Sequence, residues 1–368
     1  SQGMTSTRPQ ILPPAYYIFI FHNSYKTRIA NKNMDRELKE ALSHFKDKKI
    51  LVIGDIMLDK FSWGEVNRIN PEQPAAPLVK ILKENYALGG AANVANNIVS
   101  LNGNCTLCGV IGYGFPGSII KKLCLNKKIR LKSFYSKNPP IMKQRIMAHG
   151  QQITRLDFGE KNIKKIPDKI KEKITDFLKK EIKGFDFIIM SDYNKELFDM
   201  ELSKEIINLA RESNIPTLVD PKPCNLDFFK GCFIICPNKH EAEEMTGIKY
   251  SNGKNTLTTM GKILAERINA KYVIITCGED GLFCYDSIKN DSFYIKAEAR
   301  EVSDVTGAGD TFAAVLSLGL ACKLKIENAA KLANYAAGIV VEKVGTATTN
   351  IEEIKNALEK AGQASVNL

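Results

Sequence analysis

From Lys49 onward, short continuous apolar runs alternate with stretches whose apolar residues recur at helical spacing. KILVIGD (49–55) reads as a buried strand that closes on Gly-Asp, and 89–103, rich in small residues and ending in Asn-Gly, reads as a helix. The runs at 105–112, 185–192, 216–222 and 232–238 have the same strand character, with helical stretches at 199–213 and 256–269. Continuous apolar runs are what strands covered on both faces require. Residues 272–278 and 281–286 read as a hairpin about a Gly-Glu-Asp-Gly turn, and the chain then turns helical over 309–322, 326–343 and 351–361. Strands alternating with helices predict an α/β fold: a mostly parallel sheet covered by helices on both faces.

Two segments break the alternation. Residues 57–85 and 130–158 are rich in β formers, polar alternation and prolines. They predict a small β sheet projecting from the large one, either a lid or a plain extension of the sheet. Residues 1–34 contain no Asp or Glu but carry Arg8, Lys26, Arg28 and Lys32 among Ser and Thr. They read as an N-terminal extension, disordered or an organelle-targeting leader, with one globular domain over 35–368.

Composition narrows the function classes. An apolar share of 44% and a charged share of 25% exclude a disordered or collagen-like chain. No apolar run reaches the ~18 residues of a membrane-spanning helix. The net charge is 52 − 41 = +11, compatible with nucleic acid, an anionic small substrate or a solvated surface. The basic residues are scattered without interleaved aromatics, so no nucleic-acid partner is expected. Nine cysteines, an odd number and mostly in apolar runs, point to a reduced, cytoplasmic setting. Cys105 and Cys108 are three apart on a predicted strand and so face opposite ways, which argues against a metal or redox pair.

The string with the most chemistry is DVTGAGDT (304–311). Gly307, Ala308 and Gly309 make a tight turn that opens a helix. A helix N-terminus presents unpaired N–H groups and the positive end of the dipole, so it suits a phosphoryl group. Asp310 falls in the first turn, where it is either a chemical base with a low pKa or an ordinary cap. The string resembles the C-terminal signature of the ribokinase/PfkB family of carbohydrate kinases. That resemblance implies a ribokinase-like fold, with Asp310 as the base that deprotonates the attacking hydroxyl and the 307–309 amides as the anion hole.

Other positions resemble the same family in the same order. Gly89, Gly90 and Asn93 match its sugar-contacting glycine motif, and Asp59, with Asp55 second, matches the carboxylate that grips sugar hydroxyls. Asn238 and Glu241 match its N-x-x-E motif, linked to Mg2+ and phosphate placement. Thr276, Gly278 and Gly281 match a hairpin near the nucleotide, and Asn334 an adenine-side position. Asp304 and Thr306, with the Val344–Gly345 region, fall where some members hold a monovalent cation such as K+. Read alone, each match is equally a turn, a cap or a core residue; five in family order over 50–347 are not coincidence.

The strings Asn67–Pro74, Lys143-Gln-Arg145, Gln151–Asp157, Ser191–Lys195 and Lys343–Ala347 resemble the branch of that family that phosphorylates D-glycero-D-manno-heptose 7-phosphate at O1. A sugar phosphate needs cations or polar donors. Arg145, Arg155, Lys195 and Lys143 are the candidates, with Gln152 for hydroxyls; each is otherwise a solvated charge or side chain. Lys222 is a further cation that could reach phosphates. The resemblance also implies ATP and Mg2+, and a possible homodimer through the lid. That branch is often fused to a nucleotidyltransferase with an H-x-G-H motif. The four histidines, 22, 44, 149 and 240, form no such motif, so the expected product is the bisphosphate without adenylyl transfer.

Overall fold

The computed structural model describes residues 34–364 apart from Ile69, Pro74, 161–162, Asn252, 298–301 and Val344. The expected extension lies outside the described residues except at its last position. A helix over 34–43, α1, leads into β1 (Lys49–Gly54), β2 (Ile56–Glu65), β3 (Lys80–Gly90), α2 (Ala91–Ser100), β4 (Asn104–Gly112), α3 (Phe115–Asn126) and β5 (Arg130–Ser136). Next come β6 (Met142–Ala148), β7 (Gln151–Phe158), α4 (Asp168–Glu181), β8 (Phe187–Ser191), α5 (Met200–Glu212), β9 (Thr217–Asp220), β10 (Ile234–Ile235) and α6 (Lys239–Thr246). The chain closes with α7 (Lys254–Ile268), β11 (Tyr272–Thr276), β12 (Leu282–Asp286), β13 (Asp291–Ile295), α8 (Ala308–Ala321), α9 (Ile326–Val341) and α10 (Ile351–Ala364).

The large sheet runs β13-β12-β11-β10-β9-β8-β1-β4-β5. Neighbours from β5 to β11 pair parallel, and β12 and β13 add an antiparallel edge. Side chains alternate between faces, so each strand feeds two cores. Ile50, Val52, Leu107, Ile189 and Ile274 pack with Leu38, Ala92, Phe312, Leu316 and Ala333 on one face. Leu51, Ile53, Ile188, Met190 and Val273 pack with Phe177, Ile206 and Leu264 on the other. Cys105 lies in the first core and Cys108 in the second, so they do face opposite ways.

The second sheet has the order β3-β2-β6-β7. It is mixed: β2 pairs antiparallel with β3 and parallel with β6, and β6 pairs antiparallel with β7. One expectation is corrected here. Residues 130–136, expected in the projecting sheet, form β5 and pair with β4 in the large sheet, because α3 returns the chain as a crossover to a parallel neighbour. The projecting part of that segment therefore starts at Met142.

Asp55 is the only residue between β1 and β2. The chain leaves β1 for β4 on one side, whereas the later strands extend from β8 on the other. The crevice beyond the carboxyl ends of β1 and β8 is thus a switch point, where open α/β sheets bind ligands. The start of α8 and the Asp59 face of the small sheet close over this crevice.

Candidate active site

Asp310 sits in the first turn of α8 and is only 6% exposed. It caps nothing; the N-cap is Gly307 at φ 83°, a left-handed position that suits glycine. Both carboxylate oxygens are held from outside the helix. Asn93 Nδ2 donates to Oδ2 at 2.7 Å, and the Tyr193 hydroxyl donates to Oδ1 at 3.0 Å. Burial pushes the Asp310 pKa up to about 6, against the lowering effect of these two bonds. The low pKa expected from the helix terminus is therefore corrected: desolvation exceeds the dipole. Burial also holds the Tyr193 phenol well above its usual range, so it remains a donor.

Asp310 shares a cavity of about 180 Å3 with Tyr193, Asp220, Lys222, Cys236, Asn238, Glu241, Thr276, Gly307, Gly309 and Ala313. Each comes from the carboxyl end of a parallel strand, the start of α6 or the start of α8. Asn238 and Glu241 form a reciprocal capping box on α6: Glu241 N–H donates to Asn238 Oδ1 and Asn238 N–H to Glu241 Oε2, each at 3.0 Å. The capping reading of these two residues is thus correct for half of their polar atoms. The free Glu241 oxygen, Oε1, lies 2.6 Å from Lys222 Nζ. Burial works against the Lys222 charge, but Glu241 outweighs it and holds the ammonium above the usual lysine range. Burial, reinforced by Glu241, pushes the Asp220 carboxyl well up.

Three carboxylates and one lysine line this cavity. A polyphosphate entering it would add negative charge to negative charge, so the donor set fits a divalent cation arriving with the phosphates. Among the described residues no three His, Cys, Asp or Glu side chains are disposed to ligate a metal directly.

The small sheet presents Asp59, Phe61, Gly89, Lys143 and Arg145 on one face, by register. Asp59 and Arg145 are both buried and paired at 2.7 Å, with the guanidinium 5.5 Å over Phe61. Arg145, expected to meet a phosphate, is engaged by Asp59, the carboxylate expected to grip sugar hydroxyls. A Cβ on Gly89 would lie 2.7 Å from Asp59 Oδ2, so only glycine lets β3 run so close. Arg155 pairs directly across from Arg145. They share a face as cross-strand partners, not as residues of one strand. Arg155 itself bonds Asp157 at 2.9 Å. A register shift between Ile146 and Met147 pairs Met147 with Gln152. The bulge thus returns Gln152 to the Arg145 face, exposed on β7. Lys195 meets Glu160 at 2.8 Å. Lys143 has no ion-pair partner among the described residues; burial pulls its ammonium down while Glu160 and Asp59 support the charge.

The remaining positions are more architectural. Asp55 Oδ2 accepts N–H from Tyr193 at 2.8 Å and Lys195 at 3.1 Å. Burial, with Asp192 beside it, pushes its pKa up to about 7. It anchors the 193–195 loop. Gly90, at φ 58°, turns the chain into α2. Gly278 and Gly281 flank the turn between β11 and β12, and Asn238 bridges to Thr276 beside it. Asn334 Nδ2 donates to the Lys296 carbonyl at 2.7 Å. Asp304 accepts N–H from Thr306 at 2.9 Å and from Gly345 at 3.0 Å, one on each carboxylate oxygen. Ala308 opens α8. Tyr193 and Asp220 were missed by sequence reasoning. The available signal was position, since each ends or directly follows a predicted parallel strand.

The sequence profile of the "pfkB family carbohydrate kinase" matches residues 47–354. The chain is 36% identical over 330 residues to the "Bifunctional protein HldE" of Syntrophotalea carbinolica, covering 88% of this chain and 66% of that protein. It is 38% identical over 326 residues to the protein of the same name from Aliarcobacter butzleri, covering 87% and 67%. The chain therefore spans about two thirds of the length of these relatives. Its fold resembles Escherichia coli phosphofructokinase-2 solved with potassium (TM-score 0.71, 15% identity, 85% of this chain and 98% of that one). It also resembles Arabidopsis thaliana ribokinase complexed with ribose and ATP (TM-score 0.64, 17% identity, 85% and 99%). With the ribokinase-like fold and a profile match over most of its length, the chain belongs to the pfkB family of carbohydrate kinases, which are sugar phosphotransferases.

Proposed function

We propose that this chain transfers the γ-phosphoryl group of ATP to O1 of D-glycero-D-manno-heptose 7-phosphate, giving the 1,7-bisphosphate and ADP. The observation that carries the reading is Asp310, a buried carboxylate with a pKa of about 6 at the amide end of α8, in one cavity with Lys222 and Glu241. Identity of 36% and 38% to HldE proteins supports heptose as the sugar. Lys143, which has no ion-pair partner among the described residues, and Lys195, paired with Glu160, support an acceptor that brings its own phosphate.

In this reading Asp59 and the unpartnered, buried Asn93 Oδ1 take sugar hydroxyls. The acceptor O1–H points at Asp310, and its proton passes to the carboxylate as O1 bonds to Pγ. A pKa near 6 keeps Asp310 ionised at neutral pH yet basic enough to take that proton. The bond from Pγ to the bridging oxygen breaks, and its electron pair leaves with ADP. Phosphoryl transfer depends mainly on positioning and charge stabilisation. Ala308 N–H is taken by the Val305 carbonyl at 3.3 Å, so the N–H groups of Gly309 and Asp310, which have no partner within the helix, face the transferring oxygens. Bound Mg2+ would supply neutralisation of the nucleotide phosphates, held by Asp220 and Glu241 through water. Closure of the small sheet would exclude water and suppress hydrolysis of ATP.

A coupled ADP-release assay with MgATP tests this against heptose 7-phosphate, fructose 6-phosphate, ribose and adenosine, with Asp310→Asn alongside. ADP release with heptose 7-phosphate alone, falling at least about 100-fold in the variant, is the expected result. Release with another acceptor alone would overturn the heptose assignment and leave the base in place. Full activity in the variant would remove Asp310 from the chemistry.

A further inference from the structure

The cavity beside Asp310 has one cation, and neither the family profile nor the names of the relatives gives it a role. We propose that Lys222 is a catalytic residue. It leaves Glu241 when nucleotide binds and clamps the transferring phosphoryl group opposite the amides of α8. The proposal rests on the phosphoryl-transfer reading above and adds to it the residue that holds the moving group.

The main chain at Lys222 is fixed. Its N–H donates to Asp192 Oδ2 at 3.1 Å, and Asp192 is held in turn by Asn225 Nδ2 and the Asn194 N–H. Prolines stand on both sides, at Pro221 and Pro223. The ammonium is free to travel on its four-carbon stem, which is how lysine differs from a rigid arginine fork. Nζ now lies 2.6 Å from Glu241 Oε1 and 5.5 Å from the Tyr193 ring centre, and the Tyr193 hydroxyl is on Asp310. The lysine head is therefore already on the path from Glu241 to the base. Losing Lys222 would not release Glu241, because its second oxygen is tied into the α6 capping box. Metal-bound water could take the vacated oxygen.

The flying phosphoryl group spreads its charge over three equatorial oxygens. The amides at the start of α8 approach from one side only. Lys222 would donate an N–H to an oxygen on the other side and keep its own proton throughout. The bonds made and broken are unchanged: O1–Pγ forms, the Pγ–bridging oxygen bond breaks, and the O1 proton ends on Asp310.

The competing account is that Lys222 only neutralises Glu241. Lys222→Met and Lys222→Arg separate the two in one set of measurements. These are kcat with heptose 7-phosphate, and equilibrium binding of MgATP and of MgADP without sugar. The expected result for Lys222→Met is a kcat lower by about 100-fold, with ATP affinity weakened and ADP affinity unchanged, because only ATP carries the clamped group. Lys222→Arg should recover part of both. Equal weakening of ATP and ADP, or a kcat within about threefold of wild type, would overturn the clamp. If the wild type itself bound neither nucleotide, the kinase reading and the clamp would fall together. A wild type that binds and turns over, beside a silent substitution, would sink the clamp alone.

Discussion

At Asp310 two effects of opposite sign meet. The N-terminus of α8 and the bonds from Asn93 and Tyr193 favour the carboxylate, and burial favours the acid; burial exceeds them and the pKa rises to about 6. The balance can be moved one bond at a time. Tyr193→Phe removes a donor that stabilises the charged form, so the pKa must rise further. The acid limb of the kcat/KM–pH profile should then move to higher pH by about one unit, since ~1.4 kcal/mol corresponds to one pKa unit and a bond to a charged group is worth at least that. A limb that stays in place would reduce Tyr193 to a space filler. Asp310 and the glycines beside it were legible in DVTGAGDT because they are contiguous in the chain. Tyr193 was not, since it lies 117 positions from Asp310 and only the fold brings its hydroxyl there.

The β2–β3 hairpin shows how an element sets a site. Asp59 needs β3 close enough that a side chain at Gly89 would strike it, at 2.7 Å from Oδ2 and 3.1 Å from Cγ. Gly89→Ala should displace the carboxylate and raise the KM for the sugar about tenfold while leaving the ATP KM unchanged; an unaltered sugar KM would separate Asp59 from substrate. The glycine pair was visible in the sequence, but its reason was not. Likewise, Arg145 and Arg155 share a face because the β6–β7 hairpin pairs them across strands. The bulge at Ile146–Met147, which turns Gln152 to the same face, has no signature in MKQRIMAHGQQITR that period-two reading detects.

Over the whole molecule, the two sheets meet at the switch point between β1 and β8, and the far face of the small sheet is buried at its base, at Leu58 and Leu88, but left uncovered along β7. Leu156 and Phe158 lie on the face opposite Asp59 by register, and Leu82 on β3 is 59% exposed. Exposed apolar side chains on a sheet with open edges invite a partner. We propose a second copy of this chain as that partner. Sedimentation velocity at micromolar protein should give a dimer, and Leu82→Asp with Phe158→Asp should give a monomer. A monomeric wild type would sink the idea.

Read from one end to the other, the chain by itself determined the α/β class, most strands and the later helices, the family and the place of Asp310 at the start of a helix. These depend on local periodicity and on contiguous motifs, which a linear reading preserves. It left β5 on the wrong sheet, because strand propensity does not say which neighbour a strand will choose. Four further assignments came only with the tertiary structure: Arg145 on Asp59, Lys222 on Glu241, Tyr193 on Asp310, and an elevated rather than a depressed pKa for the base. Each depends on distance between residues far apart in sequence, or on the removal of water from around a charge. Neither exists until the two sheets and α8 close around the crevice.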